Sequence, residues 1–301
     1  MTKYYKNIPL MIGLVGLFIL INITLFAELL PFVDKELERV LYVLNEEKKP
    51  IMPPFGPSSE YLFGTDHLGR DLFSIIMLGT KETLLYVLLI SSVRFLVGIP
   101  FSFLAFHKIA GTHSLLAVSN RLFTYIPSIV TIIIFMTLPP ILFSESRPYL
   151  VVLIIALVEL NKVTSSLVDE IRKVYKHEYM TAAKSLGTKP LALVNRYLFP
   201  QLYPNIIVSF SLDLARNFVI LAQLGFFEFF ISHVHVQLED GSWVFQNTSL
   251  MWPNLLGNIL SDMRGPIWIP FFATLAISFA ILTFTLIGNG LTKQYHSKYQ
   301  S

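Results

Sequence analysis

Residues 178–200 read E-Y-M-T-A-A-K-S-L-G-T-K-P-L-A-L-V-N-R-Y-L-F-P. The stretch is charged and helix-forming, and it lies between two long apolar runs, Tyr149–Leu167 and Ile206–Ile231. Lys176–Leu186 has helix-forming content and ends at Gly187, a residue suited to the left-handed position just past a helix. Thr188 can begin a second helix with Pro190 in its first turn, where a missing N–H costs little. Leu191, Val194 and Leu198 then share one face, with Leu193 and Tyr197 beside them, while Lys189, Asn195 and Arg196 lie toward the others. Pro200 and Pro204 are expected to stop that helix before the next apolar run. The residues alone therefore predict a short amphipathic helix-turn-helix at a membrane surface.

The rest of the chain supplies the membrane. It is 53% hydrophobic and 14% charged, with a mean hydropathy of +0.60, whereas soluble domains carry about 25% charged residues. Six stretches are long enough to cross a hydrocarbon core of roughly 30 Å: Ile8–Leu30, Leu84–Phe106, Leu122–Leu142, Tyr149–Leu167, Ile206–Ile231 and Ile267–Leu291. The fourth is the weakest, since Glu159 and Lys162 sit in its second half, near the membrane surface where a lysine can snorkel. Without water to satisfy backbone groups these segments must be helices, and their continuous apolar character excludes a β-barrel. The first stretch reads as a retained anchor rather than a signal peptide, because its core is long and its cleavage site poor. The expectation is an all-α integral membrane protein: one transmembrane domain of about six helices, with an outer segment over 31–81, a cytoplasmic loop over 169–205 and an outer loop over 232–266.

Charge sets the orientation. Lys3 and Lys6 precede the first span, Lys108 and Arg121 flank the second-to-third connection, and Lys293 and Lys298 follow the last span. Asp169–Asn205 holds six Lys/Arg against three Asp/Glu, Pro31–Lys81 six against eight, and Ser232–Pro266 one against three. By the positive-inside rule both termini and the 178–200 segment are cytoplasmic. The net charge of +3 gives no reason to expect nucleic acid, and the absence of cysteine removes disulfides and thiolate chemistry.

Two motifs carry a family resemblance. Thr181-Ala182-Ala183, then Gly187 after three residues, then Tyr197-Leu198-Phe199-Pro200, resembles the EAA loop of the membrane subunits of binding-protein-dependent ABC importers, with Thr181, Tyr197 and Phe199 in place of Glu, Ile and Leu. Phe63-Gly64-Thr65-Asp66-His67-Leu68-Gly69-Arg70-Asp71-Leu72-Phe73-Ser74 is similar to the L-G-T-D-x-L-G-R-D-x-x-S segment of the dipeptide, oligopeptide and nickel permease branch. The resemblance implies the type I ABC importer permease fold in a bacterial cytoplasmic membrane. It implies a second permease chain, two ATPase subunits and an extracytoplasmic binding protein as partners, with peptide as the first substrate class and nickel or another small solute as the alternatives. It further implies that Glu178, Thr181, Ala182, Ala183, Gly187, Pro190, Arg196 and Pro200 dock the ATPase. The chain carries no G-x-x-x-x-G-K-[ST] loop, so ATP and magnesium are expected on the ATPase subunits and no cofactor or catalytic residue in this chain. The chain departs from the family pattern around Ser232–Met251 and at Gly288-Asn289-Gly290-Leu291-Thr292.

Two further sets of residues are candidates. Asp213, Arg216, Asn217, Gln223 and Glu228 interrupt the fifth span within an arc of roughly 140°. A polar stripe there faces protein or a water-filled path, with Asp213 and Arg216 spaced to pair. In the outer motif Gly64 and Gly69 allow tight turns, Thr65 or Asp66 can cap the helix that leads into the membrane, and adjacent Arg70 and Asp71 are expected to hold different partners. Arg94 and Glu159 read as structural charges. His233 and His235 alone do not make a metal site, and His177-Glu178 lacks the second histidine of H-E-x-x-H. A secondary transporter or a membrane scaffold is the rival reading; the former needs internal repeats and broken helices, and while Pro127 and Pro139-Pro140 could break the third span, that pattern is not repeated in the sequence.

Overall fold

The computed structural model describes residues 7–44, 49–237 and 243–299, so Lys3 and Lys6 lie outside the described residues. Its helices are α1 (Ile8–Phe26), α2 (Leu72–Phe106), α3 (Thr112–Tyr125), α4 (Ser128–Met136), α5 (Pro139–Leu142), α6 (Arg147–Val158), α7 (Leu160–Tyr175), α8 (Glu178–Ser185), α9 (Pro190–Leu193), α10 (Phe199–Phe226), α11 (Ile259–Asp262) and α12 (Trp268–Tyr299). Two antiparallel strand pairs interrupt them: β1 (Val43–Leu44) with β2 (Pro50–Ile51), and β3 (His233–Gln237) with β4 (Trp243–Asn247). The second pair runs from His233 opposite Asn247 to Gln237 opposite Trp243.

Among the described residues four helices are long and apolar enough to cross a membrane, and a fifth span forms if α6 and α7, bent by 41° at Glu159, count as one. The third expected span is the one that fails as a helix. Pro127 and Pro139 follow Ile126 (ψ 118°) and Leu138 (ψ 132°), both in the extended region. A proline ring clashes with a helical residue before it, so each X-Pro step drives the chain out of the helix. Residues 122–142 accordingly become the end of α3, then α4, then α5.

A second correction concerns Pro200 and Pro204, which do not stop a helix. Pro200 sits in the first turn of α10 and Pro204 inside it. Val194–Leu198 forms a wider π-type turn that joins α9 to α10 without a break. A proline displaces the carbonyl four residues before it, and a locally widened helix gives its ring room.

The chain clusters into two units. Unit 1 comprises residues 1–14, 88–215 and 284–301, and unit 2 residues 15–87 and 216–283. Unit 1 therefore holds the segments with the Lys/Arg excess, and unit 2 holds 31–81 and 232–266. The short connection 143–148, expected on the outer side, falls in unit 1.

In unit 1 the start of α1 is tied to α12 by the Asn7 amide, which donates to the Gly290 carbonyl at 2.6 Å. In unit 2 the segment 249–257 lies directly on two helices. Trp252 is buried, donates its indole N–H to the Ile76 carbonyl at 2.8 Å, and stacks near Phe218. Its backbone N–H is taken by Thr83, and that of Leu250 by Glu82. The approach is close because Gly79 in α2 and Gly225 in α10 have no side chain. A Cβ on either would overlap the Leu250 or the Pro253 carbonyl. Gly225→Ala is therefore expected to cost about 1–3 kcal/mol and to lower the thermal midpoint in detergent. Gly265→Ala, with nothing within 4 Å of the added carbon, should leave it unchanged. Equal midpoints for the two variants would contradict this packing.

Candidate functional site

The hairpin of unit 1 is built from the turn upward. The Gly187 N–H bonds to the Lys184 carbonyl at 2.9 Å and the Thr188 N–H to the Ala183 carbonyl at 3.2 Å. With Gly187 at φ +72° this is a Schellman closure of α8, which needs a left-handed residue at its pivot. One side of the hairpin is fixed in a cluster of Ile171, Val174, Met180, Ala183, Leu193, Leu198 and Leu202. The other side is open. Glu178, Thr181, Ala182, Gly187, Arg196 and Pro200 are exposed, and Leu186 at the tip is 85% exposed. Ala183, expected on the docking face, is 4% exposed and packs inward. Pro190 opens α9 as its spacing predicts. Leu186 was not singled out from sequence; a leucine immediately before a helix-ending glycine was the available signal.

The polar stripe of the fifth span divides. Asp213 and Asn217 are buried, whereas Arg216 and Gln223 are exposed on α10. Glu228 lies beyond the end of the helix, in a second Schellman closure at φ +62°. Asp213 does not pair with Arg216. Its Oδ1 meets Arg94 Nη1 at 2.5 Å and its Oδ2 accepts the Ser91 hydroxyl at 2.8 Å. Arg94, fully buried, also donates Nε–H to the Ala156 carbonyl at 3.2 Å and Nη2–H to the Ile155 carbonyl at 2.9 Å. Those carbonyls belong to the last turn of α6, where no helical N–H remains to meet them. Arg94 thus joins α2, α6 and α10 and caps the broken span. Glu159, at the break itself, pairs with Lys162.

The outer motif engages most of its polar atoms, those of Asp66 and Arg70 within itself. Asp66 Oδ1 accepts the backbone N–H groups of Leu68 and Arg70, both at 2.9 Å. Its Oδ2 accepts Nε–H and Nη2–H of Arg70 at 2.8 and 2.7 Å. The Thr65 hydroxyl accepts from the Phe55 N–H, and its carbonyl from the Trp268 indole. Neither Thr65 nor Asp66 caps α2; Asp71 does, taking the Ser74 N–H at 2.8 Å. Arg70 and Asp71 do hold different partners. Gly64 and Gly69 are both left-handed, at φ +77° and +75°. Next to this loop His67 donates Nε2–H to buried Asp262 at 2.8 Å, a pair that sequence reading missed because 195 residues separate the two. Burial pushes the Asp262 carboxyl above its ordinary value, against the opposing pull of His67.

Arg70 and His67 line a cavity of about 530 Å³ in unit 2, together with Glu228, Phe230, Asn254 and Asn258.

Comparison with known proteins agrees with the two motifs. The chain is 26% identical to the dipeptide transport system permease protein DppC of Bacillus subtilis over 287 residues, 93% of this chain and 80% of that one. It is 21% identical to the oligopeptide transport system permease protein OppC of Bacillus subtilis, covering 97% and 86%. It is 26% identical to the glutathione transport system permease protein GsiD of Pectobacterium atrosepticum, covering 82% and 75%. No family model matches. The resemblance to the peptide branch of ABC permeases therefore extends over most of the chain, beyond the quoted motifs.

Removing one member of a buried ion pair leaves the other uncompensated, at about 3–5 kcal/mol. Asp213→Asn and Arg94→Met should each lower the thermal midpoint sharply. The double variant Arg94→Met with Asp213→Leu should recover only part of the loss, because the Ile155 and Ala156 carbonyls still lack donors. Full recovery would show that the ion pair alone matters. For Asp262, a carboxyl with a raised folded pKa binds its proton more tightly in the folded chain. That contribution is present at low pH and is lost as pH rises through the raised value. Asp262→Asn should therefore gain in thermal midpoint relative to the unsubstituted chain as pH rises from the ordinary carboxylate range through the raised value. A constant difference over that interval would contradict the shift.

Proposed function

We propose that this chain is a transmembrane subunit of an ATP-driven importer of peptides, forming half of the translocation path and coupling to a separate ATPase through residues 178–200. The observation that carries the reading is the hairpin. Its inner face is packed into the unit 1 core, while its tip offers Leu186 beside Ala182 and Gly187, all three exposed. Small residues next to one projecting apolar side chain suit a groove on another protein. The permease relatives, named for dipeptide, oligopeptide and glutathione transport, support the peptide class. They do not favour the secondary-transporter alternative.

On this reading the partners are a second permease chain, two ATPase subunits that hold ATP and magnesium, and an extracytoplasmic binding protein. The lipid bilayer is a bacterial cytoplasmic membrane, with both termini on the ATPase side. ATP binding closes the ATPases, moves the hairpin and turns the path outward; hydrolysis resets it. Asp213 and Asn217, both buried on α10, act by holding helices. Arg216 and Gln223, exposed on the same helix, and Glu228, exposed just beyond its end, are the stripe residues that remain for the path.

The test is co-purification in mild detergent. An added Cβ at Gly187 meets nothing within 4 Å, so within the chain a side chain there costs only the left-handed backbone, about 1–2 kcal/mol. The unsubstituted chain should bring down an ATPase pair and a second permease, Gly187→Arg should lose the ATPase, and Gly187→Asn, which tolerates the turn, should keep it. An unsubstituted chain that carries no ATPase would sink the reading.

A further inference from the structure

We propose that the cavity of unit 2 is a binding site for the amino-terminal end of a short peptide, with the Glu228 carboxylate receiving the ligand's ammonium. The inference rests on the peptide-importer reading and adds to it a site within this single chain. At about 530 Å³ the cavity falls in the size range of small-molecule sites.

Its charged groups are unequal. Arg70 is held by Asp66 and His67 by Asp262, and both carboxylates are buried, so the Arg70 charge already faces its own anion and the imidazole its own acceptor. Glu228 differs. It has no ion pair or side-chain hydrogen bond among the described residues, and it lines the same cavity. The uncompensated charge of the wall is therefore negative and selects a cation over an anion.

Glu228 also occupies a costly backbone position. The Phe229 N–H bonds to the Leu224 carbonyl and the Glu228 N–H to the Gly225 carbonyl, both at 2.9 Å. This closure places Glu228 at φ +62°, where glycine is the easy residue. A glutamate kept in a left-handed cap beside a cavity is an observed strain that points to use of its side chain. The rest of the wall suits the groups that adjoin the ammonium of a peptide. Asn258 offers its side-chain amide, uncommitted among the described residues, for a peptide group, and Leu68, Phe230 and Leu255, none of them fully buried, offer an apolar surface for a side chain.

The test uses the full-length chain in lipid nanodiscs, with the co-purifying subunits scored in the same preparation and no binding protein added. The probes are the dipeptide Leu-Ala, its N-acetyl derivative and its C-terminal amide. Leu-Ala and its amide should bind alike, and the N-acetyl form at least about tenfold more weakly. Glu228→Gln and Glu228→Gly should each weaken Leu-Ala by about tenfold or more. Glu228→Gly should at the same time raise the thermal midpoint, since it relieves the cap, and so separates loss of the carboxylate from loss of fold. Absence of saturable Leu-Ala binding, equal binding of the N-acetyl form, or undiminished affinity in Glu228→Gly would each overturn the assignment. Lack of binding with an ATPase present removes the cavity site and leaves the importer reading. Glu228-dependent binding without an ATPase does the reverse.

Discussion

A single guanidinium holds the interior of unit 1 together. Arg94 reaches two carbonyls at the end of α6 and the carboxylate of Asp213, all within hydrogen-bond distance and all out of solvent. Each acceptor alone would be costly in an apolar surrounding. The α6 carbonyls are exposed by the bend at Glu159, and Asp213 is an anion on an otherwise apolar helix. One planar cation with five N–H groups answers both, which a lysine, a compact point charge, cannot do from one position. The same solution recurs on a smaller scale, where buried Arg147 donates to the Met136 carbonyl at the last residue of α4. Helix breaks inside apolar sequence are sustained here by arginines that take over the work of missing backbone donors.

Unit 2 is ordered by different means. Its loops lie against helices through glycine contacts and indole hydrogen bonds, and its motif of two glycines, two aspartates and an arginine closes on itself. Nearly every polar atom of that motif is engaged locally. This explains why so specific a sequence pattern leads to a shape rather than directly to a chemistry, and why the unengaged Glu228 stands apart from it.

Much of the helical architecture was legible in the sequence because apolar length and turn residues are local properties. The Gly187 turn, the inward packing of Leu193 and Leu198 and the separation of Arg70 from Asp71 all come from spacing. What was not legible depended on distance or on competition. Asp213 had a partner three residues away in Arg216 and took one 119 residues away in Arg94, because burial on α2 outweighs proximity along a helix whose Arg216 faces outward. The prolines divided. Pro127 and Pro139-Pro140 were read as able to break the third span, which was nonetheless counted whole, and they did break it, while Pro200 and Pro204 were expected to stop a helix and were absorbed by one. Ala183 was misplaced for a simpler reason: small residues serve close packing inward as readily as docking outward.

The π-type turn has a mechanical consequence. Because Val194–Leu198 joins α9 to α10 without an intervening loop, Pro190 through Ala215 is one continuous rod within unit 1. Twenty residues of it separate Leu193 from Asp213, roughly 30 Å at helical rise. A flexible linker would let the hairpin rock without disturbing the interior. A rod delivers the same displacement to the carboxylate that Arg94 grips, leaving the compliance to the turn at Gly187 and to the single turn that is wound too wide.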